Sequence, residues 1–173
     1  MPKSPAPPRA PRDFETAYGQ ETPFCTQFSV FLENRVGRLY DLVEVFDGQS
    51  LRVVAFSILE ASDHAVVRLV TTRAELARQL LKSEKLPFSE SEILVAELGP
   101  DQKMSQLCRA LLSAELSIHY AYSLMVRPHG ATTVGIHCDD MTLAAQILQK
   151  KGFKLVDEGE LQSAAGGDDP NIA

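Results

Sequence analysis

Residues 23–46, PFCTQFSVFLENRVGRLYDLVEVF, change their hydrophobic period in mid-stretch. From Phe24 to Glu33 apolar, β-branched and aromatic residues crowd together, the composition of a strand. Asn34-Arg35-Val36-Gly37 breaks that run with turn-forming residues. Leu39, Leu42, Val43 and Phe46 then recur at helical spacing and form one apolar stripe, and Gly48 is a suitable terminator. Downstream, LRVVAFSILEA and HAVVRLVT read as two strands around an Ala61-Ser62-Asp63 turn. Arg73 to Lys82 is a second amphipathic helix carrying Leu76, Leu80 and Leu81, and short strand material follows at Phe88 to Ser91. The order is strand-helix-strand-strand-helix-strand.

The same order then begins again. Phe28 to Phe31 corresponds to Ile93 to Ala96 at an offset of 65, which also carries Leu39 to Met104, Leu42 to Leu107, Phe46 to Leu111, Leu51 to Leu116 and Val53 to Ile118. After a longer second hairpin the offset becomes 67 and aligns ELARQLL from Glu75 with TLAAQIL from Thr142. One offset held through a strand, a loop, a helix and the next strand marks an internal repeat. Each copy is small for a lone core, and a four-stranded sheet covered on one face leaves edges and a face open. Pairing between the copies follows, and the seam it makes is a natural ligand site. The expected organisation is a proline-rich flexible arm over 1–22, copies over 23–91 and 92–161, and a flexible tail over 162–173.

Composition narrows the function. The 173 residues carry 17 basic and 23 acidic side chains, a net charge of −6 that opposes a nucleic-acid or anionic-membrane surface. No apolar run approaches a membrane span, and the N-terminus has no signal-peptide core. Cys25, Cys108 and Cys138, an odd set without CxxC spacing, read as free thiols of a cytoplasmic protein.

Taken together, FSVFLENRVGRLYDL (28–42) and SIHYAYSLMV (117–126) resemble the ACT domain, the first stretch its opening strand, turn and helix start, the second its second strand. The resemblance covers Phe24 to about Glu158. It implies an α+β fold of two ferredoxin-like βαββαβ sandwiches, each with a four-stranded antiparallel sheet and two helices on one face. It also implies a non-catalytic, amino-acid-responsive regulator that works as a homodimer and acts on a separate enzyme or regulator. Two departures stand out. Val36 occupies a position where the family often has proline, and the second copy's turn, Asp101-Gln102-Lys103-Met104, has Gln102 in the glycine slot. The family's second-strand asparagine is Arg52 in the first copy and Ser117 in the second.

Two readings of the first turn stand side by side. From spacing alone, Gly37 is turn geometry and Asn34 a helix cap. With the resemblance, Asn34, Arg35, Val36, Gly37, Arg38 and Leu39 form one wall of an amino-acid site, with carboxylate-binding amides at the helix start. Arg52, Val53, Ser117 and Ile118 on the second strands form the other wall. Elsewhere no catalytic set, phosphate loop, metal or cofactor site is expected. His137 and Cys138 alternate in a strand and face opposite ways, with Asp139 or Asp140 capping the next helix. Tyr120 and Tyr122 share a face directed at core or partner. Two other functions fit the same fold: an interaction module whose site has decayed, and an acylphosphatase-like enzyme resting on Arg35 alone.

Overall fold

The computed structural model describes residues 23–61 and 63–166; the arm over 1–22 and the end of the tail lie outside the described residues. The first copy comprises β1 (Phe24–Glu33), α1 (Arg38–Glu44), β2 (Val53–Ala61), β3 (His64–Thr71), α2 (Ala74–Ser83) and the start of β4 (Phe88–Leu98). The second comprises the rest of β4, then α3 (Met104–Leu112), β5 (Ile118–Ser123), β6 (Thr132–Cys138), α4 (Met141–Lys150) and β7 (Leu155–Val156), with α5 (Glu158–Gly166) following.

β4 belongs to both copies. Its N-terminal part pairs antiparallel with β1, from Val30 opposite Phe88 to Phe24 opposite Leu94. Its C-terminal part pairs with β6, from Leu94 opposite Ile136 to Leu98 opposite Thr132. Leu94 therefore has a neighbour on each edge, and β7 takes the β1 edge beyond it, at Val95 and Ala96. The result is one antiparallel sheet in the order β2-β3-β1-β4-β6-β5, with β7 beside β4. Each half has the strand order of a ferredoxin-like unit, as the sequence implies. The expected boundary between 91 and 92 falls inside β4. The short strand expected at Phe88 to Ser91 runs on without interruption, because Glu92, Ile93 and Leu94 stay in the ladder with β1, while Glu90 meets Arg78 of α2.

Alternation along β4 assigns the two faces. Phe88, Leu94 and Ala96 turn towards the helices, where Phe28, Val30, Leu32, Leu42, Leu69 and Leu81 form the first copy's core, and Leu107, Leu111, Ile136 and Leu148 anchor the second's. Ile93 and Val95 turn the other way and meet Cys25, Val54, Ala55, Val70, Leu124, Val156 and Leu161 in a third core. All helices of the two repeats thus cover one face, and the opposite faces close on each other. The sheet curls until its end strands touch: the Met125 N–H donates to the Val54 carbonyl at 2.7 Å. Bulges between Val53 and Ala55 and between Ile118 and Tyr120 switch side-chain parity at matching places in the two copies.

Two further expectations change. α1 stops at Glu44, and the chain reaches Gly48 (φ 70°) through tighter i to i+3 bonds such as Phe46 N–H to the Val43 carbonyl. Residues 162–166 are not tail but the last part of α5. That helix is set by a reciprocal cap, in which Glu160 N–H donates to Asp157 Oδ1 at 2.8 Å and Asp157 N–H to Glu160 Oε2 at 3.2 Å. Leu161 then gives it something to bury, in the third core. Asp140 caps α4 by accepting from Leu143 N–H at 2.9 Å. Cys25 and Cys138 are buried and Cys108 is half-buried; burial, reinforced by the carboxylate of Glu158, pushes the Cys25 thiol far up. Among the described residues no helix is long and apolar enough to cross a membrane.

Candidate functional site

The first turn is open. Gly37 precedes α1 at φ 93°, a left-handed conformation that a side chain would strain, and, its two chain neighbours aside, no atom of the described residues lies within 4 Å of where a Cβ would stand. The glycine is therefore dictated by backbone shape and not by packing. Asn34 does not cap α1; its Nδ2 donates to Glu60 Oε1 at 2.7 Å. Arg35 pairs with Glu33 (3.1 Å) and Arg38 with Asp41 (3.3 Å), Val36 is fully exposed, and Leu39 packs on the first core. The second copy's turn is closed by the residue in its glycine slot: Gln102 accepts from Gly99 N–H and donates to the Gly152 carbonyl, both at 2.9 Å.

Arg52 and Val53 sit elsewhere. Glu33 and Ala61 both lie opposite His64, whereas Val53 lies opposite Thr71, a strand length of about 27 Å from Ala61. Within one chain the Asn34–Leu39 turn and the Arg52–Val53 segment occupy opposite ends of the first copy's sheet. Ser117 and Ile118 take the corresponding place in the second copy. Ser117 N–H donates to Asp139 Oδ1 at 3.1 Å, and Ile118 packs on the second core.

Around Arg52 the surface is concave. Arg52 N–H donates to Thr72 Oγ1 and Thr72 N–H to the Arg52 carbonyl, both at 3.0 Å, which joins the loop before β2 to the loop after β3. Arg73 then swings its guanidinium onto Ser50, at 2.7 Å from the hydroxyl and 3.3 Å from the carbonyl. α2 begins directly afterwards with no side-chain cap, so its first-turn N–H groups are available to solvent or a ligand. A hollow of about 370 Å³ lies between Gln49–Arg52, Thr72, Arg73 and Gln162. It shares Thr72, Arg73 and Gln162 with a second, of about 390 Å³, at the start of α2. It shares Gln49, Leu51 and Arg52 with a third, of about 290 Å³, floored by Val43, Phe46 and Val53. The three form one groove. Its far wall is α5, which the second copy supplies and which is pinned by Leu161 and by Thr26 N–H donating to Glu158 Oε1 at 2.6 Å. The groove thus lies on the seam between the copies.

Only Arg52 and Val53 of the residues expected from sequence line this groove. Thr72, Arg73 and Gln162 were missed. The first two looked like a plain helix entry, and Gln162 lay in an apparent tail. The Asp157-x-x-Glu160 spacing was the available sign of a helix there.

The third core holds one polar island. Gln27, fully buried, donates from Nε2 to Tyr120 Oη (2.8 Å) and Ser91 Oγ (3.0 Å) and accepts from Tyr122 Oη at 2.5 Å. Arg68 lies 4.1 Å over the Tyr120 ring, and His137 stacks on the same ring at 5.0 Å. Tyr120 and Tyr122 share the inner face, as their spacing predicts, and burial pushes the Tyr122 hydroxyl up. Cys138 points the opposite way from His137, into the second core.

The family model of the ACT domain pair matches residues 24–165. No curated protein sequence matches the chain. Among solved structures, protein BT0572 from Bacteroides thetaiotaomicron is similar at TM-score 0.72 and 22% identity, over 81% of this chain and 96% of that one. The ligand-free regulatory subunit of aspartate kinase from Thermus thermophilus is similar at TM-score 0.50 and 8% identity, over 75% and 93%. At these identities the likenesses concern the fold.

Proposed function

The chain belongs to the ACT domain-pair family, a regulatory ligand-binding type of module, and from that premise we propose that it is a non-catalytic sensor of an amino acid. The ligand occupies the groove at Arg52, Arg73 and α5. The observation that carries this reading is Arg73, whose guanidinium is held by Ser50 oxygens and, among the described residues, by no acid, beside the start of a ten-residue helix that its N-cap side chain leaves uncapped. A guanidinium and helix-start amides together suit a carboxylate. Glu158 and Glu75 on the same walls suit an ammonium group, and Val43, Phe46 and Val53 an apolar side chain. Because α5 comes from the second copy, ligand binding changes how the two halves are held, and a partner enzyme or regulator reads that change through differential affinity. A thermal-shift screen of the twenty amino acids tests this. One of them at a hundred times its dissociation constant is expected to add about 2.7 kcal/mol, and no shift with any of them at millimolar levels counts against the site.

The same reading includes a homodimer formed along β2. This strand ends the sheet, carries no lysine or proline, and exposes Phe56 (49%), Ile58 (49%) and Leu59 (52%). Such an edge invites pairing with a second strand. Antiparallel pairing of β2 with its copy, centred on Ser57, sets Phe56 opposite Ile58. It also brings the Asn34–Leu39 turn of one protomer beside the Arg52–Val53 end of the other, so the expected walls meet across the two-fold axis. Light scattering on a sizing column is expected to give a dimer at micromolar concentration and a monomer for Ile58→Lys. A monomeric parent protein contradicts the pairing.

A further inference from the structure

Four titratable side chains from four separate segments converge at α5, and none of them lines the proposed ligand groove. Glu97, on the inner face of β4, is 5% exposed and accepts from His129 Nδ1 at 2.8 Å. The other ring nitrogen, Nε2, lies 2.8 Å from Lys154 Nζ and 3.4 Å from Glu160 Oε1. Lys154 Nζ is 3.4 Å from the same Glu160 oxygen, and Glu97 N–H donates to the Lys154 carbonyl at 2.8 Å, so the backbones of Glu97 and Lys154 are tied. Taken as a carboxylate, Glu97 only accepts, which assigns the ring proton to Nδ1 and leaves Nε2 as the acceptor for the Lys154 nitrogen. A buried carboxylate, an imidazole oriented by it and a nucleophile in hydrogen-bond reach is the arrangement that activates weak nucleophiles. The imidazolium formed on proton transfer would lie between Glu97 and Glu160.

We propose that Lys154 is a self-acylating lysine whose donor is an acyl thioester. His129 Nε2 takes one proton from the Lys154 ammonium and the freed amine attacks the thioester carbonyl carbon. A C–N bond forms, the C–S bond breaks, the second nitrogen proton leaves with the thiolate as thiol, and His129 returns the first to solvent. Nothing is oxidised or reduced. A hollow of about 460 Å³, lined in part by Pro128, His129, Gly159 and Glu160, reaches the two side chains that touch the Lys154 nitrogen and can receive the acyl donor. Asp157 lines it too, and the two carboxylates disfavour a dianionic acyl phosphate and leave the neutral thioester carbon as the better fit. The product loses the Lys154 charge that faces Glu160 on α5, the helix that walls the ligand groove.

The whole protein is incubated with S-acetyl-N-acetylcysteamine, or in parallel with acetyl phosphate, and each lysine's acetylation rate is read by peptide mass spectrometry. Lys154 is expected to react with the thioester at least ten-fold faster than Lys82, Lys85, Lys103, Lys150 and Lys151. In His129→Gln, Lys154 falls to the level of those lysines while their own rates hold, and a cooperative melting curve by circular dichroism verifies that the variant is folded. The proposal is overturned if Lys154 reacts no faster than the others, if His129→Gln leaves its rate unchanged, or if acetyl phosphate labels it faster than the thioester does.

Discussion

Expressed as separate chains, residues 23–91 and 92–166 are expected to stay unfolded, whereas the intact protein unfolds in one cooperative transition. The cut severs β4 where it still pairs with β1 through Glu92, Ile93 and Leu94. It also opens the third core, whose nine buried residues divide four to five between the halves: Cys25, Val54, Ala55 and Val70 against Ile93, Val95, Leu124, Val156 and Leu161. Re-exposing a core of that size costs on the order of 10 kcal/mol, comparable with the entire stability of a domain. Circular dichroism and amide dispersion in a two-dimensional NMR spectrum distinguish the outcomes. Two folded halves, or two transitions in the intact chain, would show the copies to be independent.

Gln27→Leu is expected to destabilise the protein by about 2–4 kcal/mol, lowering its melting point by roughly 5–15 °C. The leucine fills nearly the same volume and is apolar, and a reading based on burial alone would have it stabilise. The structure argues otherwise: the two tyrosine hydroxyls reaching Gln27 from β5 lose the side-chain partner they share and remain inside the closed sheet. Buried groups stranded in this way cost about 1–3 kcal/mol each. Tyr122→Phe removes the hydroxyl itself and should cost less. The double substitution should cost less than the sum of the two, because removing Gln27 already abolishes the bond that Tyr122 makes. Urea denaturation of the four proteins measures this coupling; strictly additive effects, or a loss below 1 kcal/mol for Gln27→Leu, would mean that the polar island is not structural.

Much of this architecture is legible in the chain. The switch of period at Asn34, the hairpin at Ser62 and the constant offset that carries Leu42 onto Leu107 determine two βαββαβ units before any coordinate is known. What is not legible depends on contacts between distant residues. Phe88 to Ser91 reads as a short strand closing the first copy; that it continues into the second shows only once its pairing with β1 is in place, and Glu90 then meets Arg78, 2.7 Å away, whose guanidinium holds its carboxyl below the usual range. α5 looks like a tail because its small residues have nothing local to bury; Leu161 joins a core whose other members come from both copies, from Cys25 to Val156. The groove is hidden for the same reason. Arg52 and Arg73 become neighbours only because Thr72 bonds back to Arg52, and Gln162 joins them from the other copy. Gly37 could be singled out from sequence because its backbone requirement is local, yet whether its turn meets a ligand depends on what stands across from it.

Isothermal titration of the amino acids into the protein and into Arg73→Ala is the most direct test of the seam as a sensor site. At least one amino acid should bind the parent protein with submillimolar affinity, and the variant, still folded, should lose ten-fold or more of it. Equal affinity in both proteins, or no heat with any amino acid at millimolar concentration, would contradict the assignment of the groove.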